Sequence, residues 1–351
     1  MDDRHIILFA QGLINRAGIE RMTVALANLL ANRYKVTIVL IEPFSYENLP
    51  YNLRESVHVE SLNSSFGGFN FKNIRLLRNV VVELKANILI TVATPLVRIS
   101  APALAGLRIR NIAWEHFNLY AGSGIGSIWK ILSTYLVERT VVLCDDDAVN
   151  FRKKKARNIT TIYNFSSMGE ENLPSECNEK IILSVGRHAN QKGYDMLLKA
   201  WAKVKKNGWK LKIVGNGPLF SENQHIAQKL KILDSVIFED STPNIVNEYR
   251  NASCFVLSSR YEGLVMVLIE ARMMGLTCIS FNCPTGPREI IRDNVDGFLV
   301  EAGNIDALAA KISEVISMKN LPELGKQARV DAMQRYGTEQ AALKWISIIE
   351  S

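Results

Sequence analysis

Short apolar runs rich in Ile, Val and Leu alternate with amphipathic helical patterns along almost the whole chain. The alternation pauses once, between Ser166 and Lys180, and then starts afresh. Strands are predicted at 5–10, 35–41, 57–60, 87–92, 110–114, 140–144 and 159–163, with helices at 18–32, 72–85, 126–138 and 146–153 between several of them. Short β runs joined through crossover helices predict a parallel, doubly wound α/β sheet. The pause is polar and acidic, contains Gly169, Pro174 and Ser175, and reads as an interdomain linker. After it, strands are predicted at 181–185, 211–214, 235–238, 253–257, 277–281 and 297–300, and helices at 193–206, 219–231, 243–250, 264–274 and 304–317. Two more helices, 321–335 and 338–350, end the chain with no strand after them. The expected division is therefore 1–168, a linker 169–179, 180–335, and a terminal helix within 336–351. Two such sheets in tandem are expected to face a cleft at the carboxyl ends of their strands, where open α/β sheets bind ligands.

A chain of 351 residues has room for two cores, and 48% hydrophobic with 22% charged residues is a globular balance. No apolar run approaches the ~18 residues that span a bilayer. Met1 to His5 is too acidic, and Ile6 to Ala10 too short, for a signal peptide. Cys144, Cys177, Cys254, Cys278 and Cys283 are odd in number and lack zinc-ligand spacing, so reduced thiols in a cytoplasmic protein are expected. The net charge of +7 gathers in two places. Lys72, Arg75, Arg78 and Lys85 lie along a predicted helix, and Arg152, Lys153, Lys154, Lys155 and Arg157 form a second cluster. Each is either a solvated face or an attraction for anionic lipid or a phosphate-bearing substrate. No zinc finger, RNA-binding signature or aromatic-and-basic strip accompanies them, so a nucleic-acid partner is not expected.

The stretch Ser259-Arg260-Tyr261-Glu262-Gly263-Leu264-Val265-Met266-Val267-Leu268-Ile269-Glu270-Ala271 follows the apolar run Cys254 to Leu257. A strand that feeds a helix through a turn at Gly263 aims free N–H groups and the positive helix end at an anion such as a diphosphate. At ~1.5 Å per residue, Glu262 and Glu270 are separated by up to roughly 12 Å, comparable with the reach from a sugar past a diphosphate to a ribose. The plainer alternative is a surface glutamate followed by another on an ordinary amphipathic helix. Gly186 allows a tight turn out of the strand ending at Val185. Beyond it, Arg187 offers a planar fork of donors and Lys192 a compact charge, natural counter-charges for a departing nucleoside diphosphate. Gly215, in Val214-Gly215-Asn216-Gly217-Pro218, opens another strand-end turn but lacks the third glycine of a dinucleotide fingerprint.

In the first half, Gly18 and Glu20 lie in the loop Gly12 to Arg21, which leads into the first helix and is a candidate acceptor or phosphate loop. Ala17 limits how freely that loop can bend. His116 follows the strand ending at Trp114 and can hydrogen-bond a sugar hydroxyl or organise charge, unless it is a satisfied structural histidine. Its neighbour Glu115 is an equal candidate. Asp145-Asp146-Asp147 open a helix, where carboxylates cap and complement the dipole, which favours that role over metal. Cys283 to Ile291 contains two prolines and a glycine and shapes a loop before a short helix, with Glu289 either a first-turn helix residue or a ligand contact.

With these residues in view, the chain resembles the retaining glycosyltransferases of family 4, which have the GT-B fold. The motifs that carry the resemblance are Val185-Gly186-Arg187 with Lys192, Val214 to Pro218, the Glu262–Glu270 pair, and Cys283 to Ile291. Ala17-Gly18-Ile19-Glu20-Arg21 resembles the family's paired-glycine loop with Ala17 in place of the first glycine, and His116 matches the family's cleft histidine. The resemblance implies that Arg187 and Lys192 bind the donor diphosphate. It also implies that Glu270 binds ribose hydroxyls, that Glu262 contacts the transferred sugar, and that N–H groups near Gly263, Leu264 and Val265 hold phosphate. The first domain would take the acceptor, the second the nucleotide sugar, and the last helix would cross back to the first domain. The family uses no cofactor and no bound metal. The expected activity is transfer of a hexose or N-acetylhexosamine from a UDP-sugar to a lipid-linked glycan at an anionic membrane surface. A sugar-nucleotide epimerase of similar architecture and a non-catalytic nucleotide-sugar-binding protein are the alternatives.

Overall fold

The computed structural model describes residues 2–14, 18–67, 71–120, 124–205 and 207–351. The chain divides into one compact unit of Met1–Tyr163 with Ala341–Ser351, and a second of Asn164–Gln340.

In the first unit the elements run β1 (His5–Ala10), α1 (Gly18–Leu30), β2 (Lys35–Leu40), β3 (Val57–Ser61), α2 (Phe71–Glu83), β4 (Ile88–Val92), α3 (Val97–Leu104), β5 (Arg110–Trp114), α4 (Gly124–Ser133), β6 (Arg139–Val142), α5 (Asp145–Lys153) and β7 (Ile159–Thr161). Among the described residues they build a seven-stranded sheet in the order β3-β2-β1-β4-β5-β6-β7, every pair parallel. β1 and β4 are buried along their whole length, so both read as unbroken apolar runs rather than as alternation. α3 was not predicted, because Pro95 and Pro102 look like breakers. Pro95 instead sits at the start of the 3₁₀ turn Thr94–Leu96, and Pro102 lies near the end of α3.

The second unit contains α6 (Met168–Glu171), β8 (Ile181–Val185), α7 (Tyr194–Lys203), β9 (Lys210–Val214), α8 (Phe220–Lys229), β10 (Val236–Glu239), α9 (Ile245–Arg250), β11 (Cys254–Leu257), α10 (Met266–Met273), β12 (Thr277–Asn282), α11 (Pro287–Ile290), β13 (Phe298–Glu301), α12 (Ile305–Val315) and α13 (Leu321–Tyr336). Its six strands run parallel in the order β10-β9-β8-β11-β12-β13. Both sheets thus have a first strand flanked by its second and fourth, the Rossmann order, and the two Rossmann-like units expected of a GT-B protein are present.

The second unit begins at Asn164, so the segment 169–179 expected as a linker belongs to it, for an identifiable reason. That segment is not a free tether. Met168 is buried, Arg329 Nη2 donates to the Gly169 carbonyl at 2.6 Å, and Ser175 donates through its N–H to Met274 O and through its hydroxyl to Ala252 O, at 2.8 and 2.6 Å. At the other end, the final helix α14 (Thr338–Glu350) contributes its residues from Ala341 onward to the first unit. Trp345 meets Trp114 edge-on at 5.3 Å, and Arg110 donates to the carbonyls of Ile348 and Ile349 at 2.8 and 2.7 Å. Those carbonyls are at a helix end and have no intrahelical donor, so the guanidinium satisfies them.

Candidate functional site

In the second unit the strand order reverses between β8 and β11. The chain leaves β8 towards β9 on one side, and leaves β11 towards β12 on the other, so their carboxyl ends diverge there. The loop after β8 carries Gly186, Arg187, Gln191 and Lys192, and the loop after β11 carries Ser258 to Val265. The two loops are tied by main-chain contacts. Arg260 N–H donates to Gln191 O and the Ser258 hydroxyl to Lys192 O, both at 2.8 Å. The Arg260 guanidinium also grips Asp195 in α7 through two bonds of 2.9 and 2.8 Å.

At this junction Lys192 Nζ stands 2.7 Å from Glu262 Oε1. The Ser259 hydroxyl donates to the same oxygen at 2.6 Å, and Gln191 Nε2 to Oε2 at 3.2 Å. The lysine and glutamate side chains are 16% and 8% exposed, so their attraction is screened much less than a surface pair's. The sequence suggests Lys192 as a free cation for phosphate and Glu262 as a separate sugar contact; the structure instead joins them in one ion pair. Cys283 lies close by, and burial, with the Glu262 charge adding to it, pushes its thiol up to about 12. A neutral thiol there is no nucleophile.

The frame around the pair depends on two glycines. Gly215 has φ +146°, and a Cβ on it would fall 2.1 Å from the Gly186 carbonyl oxygen. Gly286 has φ +89°, and a Cβ on it would fall 2.0 Å from Gly263 O. Only glycine lets backbone approach backbone this closely. Gly263 itself differs from expectation: it has no left-handed φ, and a Cβ there would meet nothing within 4 Å. The restriction lies on its partner loop, where the Thr285 hydroxyl also donates to Glu262 O.

Gly263, Leu264 and Val265 precede α10, and their N–H groups have no acceptor among the described residues. Val265 is the N-cap of α10 and supplies no side-chain cap, so the first turn is left to other acceptors. Arg187 is exposed, and its guanidinium has no hydrogen-bond or ionic partner among the described residues. Glu270 lies inside α10, is 2% exposed, and accepts from the Tyr249 hydroxyl at 3.3 Å. Two residues beyond it, buried Arg272 anchors the same helix to Asp296 at 2.7 Å and Asp331 at 2.8 Å.

His188 escaped sequence reasoning, since nothing in Arg187-His188-Ala189 marks it. It is fully buried, pairs with Asn223 at 2.9 Å, and packs against the rings of Tyr194 and Phe220 at 4.7 and 4.8 Å. Its backbone bonds Asn216 O and Leu219 N, at 2.8 and 2.9 Å. It therefore holds the Gly215 loop to the Gly186 loop. Burial pushes its pKa down to about 4.

The other sequence candidates lie in the first unit. His116 follows β5 and stacks on Trp114 at 4.2 Å. Its Nε2 is closed off from solvent and has no hydrogen-bond partner among the described residues. Burial pushes its pKa down to about 3, so the ring is neutral at ordinary pH and organises no charge of its own. Glu115 is structural: its carboxylate accepts from the Thr94 hydroxyl and from Phe117 N–H at 2.8 Å, with buried Lys130 at 3.9 Å. Gly18 begins α1 and is exposed, while Ala17 lies outside the described residues. Glu20 lines a cavity of about 270 Å³ with Gly12, Glu42, Ala93 and Phe117, at the carboxyl ends of β1 and β4. These neighbouring strands mark the switch point of the first sheet.

Asp145, Asp146 and Asp147 form the first turn of α5, but the N-cap residue is Cys144. Asp147 accepts the N–H of Leu119, and Asp145 the hydroxyl of Tyr163, at 2.8 and 2.9 Å. Glu289 lies in α11, and its carbonyl accepts from Arg335 and Tyr336 at 2.5 and 3.1 Å. Of the basic residues on α2, Arg78 is committed to the carbonyls of Ala103 and Ala105, both at 2.8 Å.

Comparison with known proteins agrees with this geometry. Residues 170–331 match the family model described as Glycosyl transferases group 1. A Haemophilus influenzae protein named as an uncharacterized glycosyltransferase is 31% identical over 361 residues, covering 99% of this chain and all of that one. The Campylobacter jejuni enzyme named GalNAc-alpha-(1->4)-GalNAc-alpha-(1->3)-diNAcBac-PP-undecaprenol alpha-1,4-N-acetyl-D-galactosaminyltransferase is 29% identical, over 90% of this chain and 89% of its own. The crystal structure of Anabaena HepE in complex with UDP superposes with a TM-score of 0.83 at 16% identity, over 98% of this chain and 99% of that one, a likeness of fold. The chain belongs to the group 1 glycosyltransferases.

Proposed function

We propose that the chain is a retaining, metal-independent hexosyltransferase of the family 4 type. It moves a hexose or N-acetylhexosamine from a UDP-sugar to a hydroxyl of a lipid-linked glycan, in the building of a bacterial surface polysaccharide. The observation that carries this reading is the Lys192–Glu262 pair beside the unbonded N–H groups of Gly263, Leu264 and Val265. An anion arriving there finds oriented dipoles that need no reorganisation.

In this reading Arg187, which has no partner among the described residues, closes on the diphosphate, and Lys192 shares its charge between Glu262 and the leaving phosphate. Negative charge develops on that phosphate as the glycosidic bond lengthens, so the cations stabilise the transition state more than the ground state. The acceptor hydroxyl attacks the same face of an oxocarbenium-like centre, and the departing phosphate takes its proton. No protein nucleophile is needed. Glu262 orients the sugar and stabilises positive charge, Glu270 takes the ribose, and the neutral His116 ring gives its unpartnered Nε2 to a sugar hydroxyl once donor binding uncovers it. Gly18 and Glu20 belong to the acceptor side.

Two comparisons support the finer points. The Campylobacter relative is named for an acceptor carried on PP-undecaprenol, and the Anabaena structure contains UDP. A lipid-linked acceptor places the enzyme at the inner face of the cytoplasmic membrane as a peripheral protein; no helix among the described residues is long and apolar enough to cross one.

The test is a product assay with purified protein, a panel of UDP-sugars, a lipid extract from its own source and a metal chelator, read by mass spectrometry. A lipid-linked glycan one sugar heavier, formed with one donor, is the expected result. An altered free sugar nucleotide with no gain in glycan mass would instead identify an epimerase. UDP binding without turnover of any donor would identify a binding protein.

A further inference from the structure

The first unit presents an apolar face that its own core does not use. On α4, Ile125, Ile128 and Leu132 are 81%, 61% and 51% exposed. Their spacing of three and four residues puts them on one side of the helix. The opposite side is spent internally: Lys130 is buried with its ammonium on Asn118 O at 2.6 Å, and the Ser127 hydroxyl donates to Leu119 O at 2.8 Å. The chain leaving α4 extends the apolar face with Tyr135 and Leu136, both exposed. Five large apolar side chains within twelve residues make a patch of the kind that marks an interaction surface.

A basic rim adjoins it. Lys153, Lys154, Lys155 and Arg157 are all exposed. They are fixed to the patch rather than merely close in sequence. The Tyr135 hydroxyl donates to Lys155 O at 2.5 Å, the Arg157 guanidinium lies 4.8 Å from the centre of the Tyr135 ring, and Arg157 N–H donates to Thr134 Oγ1 at 3.1 Å. An exposed aliphatic helix face with cations along its edge complements one partner chemistry in particular. Aliphatic side chains enter the acyl boundary of a bilayer, while ammonium and guanidinium groups stay at the level of anionic headgroups. On α2 the exposed large apolar side chains are Phe71 and Val82, eleven positions apart, so no continuous apolar face forms there, and Arg78 is spent on the carbonyls of Ala103 and Ala105.

We infer that α4, with residues 135–136 and the basic segment 153–157, is the surface that docks this enzyme on an anionic lipid bilayer. The inference deepens the proposed action on a lipid-linked acceptor: the aliphatic face gives depth, and the cations select anionic membranes.

Flotation of the full chain with vesicles of phosphatidylcholine alone, or with about 30% phosphatidylglycerol, tests it. The wild type should float with the anionic vesicles, and raising the salt should weaken but not abolish this. Ile125→Ser, Ile128→Ser and Leu132→Ser together change only exposed positions and should lower partitioning about a hundredfold. Lys153→Gln, Lys154→Gln and Lys155→Gln together should also lower it about a hundredfold, and only for the anionic vesicles. Tight UDP binding should persist in both variants. Failure of the wild type to float, or full flotation of the triple serine variant, would overturn the inference. So would a concentration-dependent dimer that the serine variant abolishes, because the face would then belong to a second copy. Flotation without turnover of any donor would leave the docking surface standing and remove the transfer reading instead.

Discussion

Lys192 and Glu262 are 70 residues apart in sequence and 2.7 Å apart in space, linked across the ends of β8 and β11. Removing either charge leaves the other largely buried and without its main counter-charge. Lys192→Ala and Glu262→Ala should each cost roughly 1–3 kcal/mol of stability, with the double variant losing less than their sum, as chemical denaturation will measure. Turnover should fall at least about a hundredfold in all three, because the proposed mechanism has charge develop beside this preorganised pair.

Arg187 is the contrasting case. With an exposed guanidinium and no partner among the described residues, it contributes little to folding. Arg187→Ala should leave the denaturation midpoint within about 0.5 kcal/mol of wild type. UDP affinity, measured by calorimetry, should nevertheless drop about tenfold or more, since a charge-assisted contact to phosphate is lost. Unchanged affinity would remove Arg187 from the donor site.

Gly263 and Gly286 face each other across the loop contact but predict opposite outcomes. Gly286→Ala would drive a Cβ to 2.0 Å from Gly263 O at a left-handed φ, so it should destabilise by several kcal/mol, on the order of 2–4. Gly263→Ala meets open space and should be stability-neutral. If the Gly263 N–H faces donor phosphate, the added methyl group should still weaken UDP binding. Comparing thermal midpoints with and without UDP separates the two effects.

His188 and His116 have folded pKa values pushed down to about 4 and about 3 by burial, against 6.5 for an unperturbed ring. Between those values and 6.5 the unfolded chain binds protons that the folded chain refuses. Stability is therefore full above about pH 6.5 and is lost as pH falls through that window. His188→Gln should flatten the fall between about pH 7 and about pH 5 by roughly 1–3 kcal/mol, as urea unfolding at the two pH values will report. Neither ring should produce an inflection in the rate profile near pH 6.5.

Most of the fold was legible because the buried strands are continuous apolar runs bounded by turn residues, as in Ile6 to Ala10 and Cys254 to Leu257. α3 was hidden by two prolines that occupy tolerated positions near its ends. The expected linker was hidden by polarity: Ser175 and Gly169 look solvated, but the Ser175 hydroxyl is spent on the Ala252 carbonyl and the Gly169 carbonyl on the Arg329 guanidinium. At the candidate site, the residue types were legible and their partnerships were not. Gln191 and Ser259 join the Lys192–Glu262 pair only because two strand ends meet, which no local pattern encodes. His188 carried no signal, because its role depends on aromatic rings 6 and 32 positions further along the chain, Tyr194 and Phe220.

Main-chain atoms do most of the holding where Gly215 overlies Gly186 and Gly286 overlies Gly263. A scaffold fastened in this way keeps its shape whatever side chains are mounted on it. Exchanges at Tyr261 and Leu264, which are not among these glycine clasps, should therefore change what the proposed donor site accepts without refolding the protein. The same economy limits the engineer: Gly186, Gly215 and Gly286 have no room for a side chain, and a library aimed at a new sugar should leave those three glycines fixed.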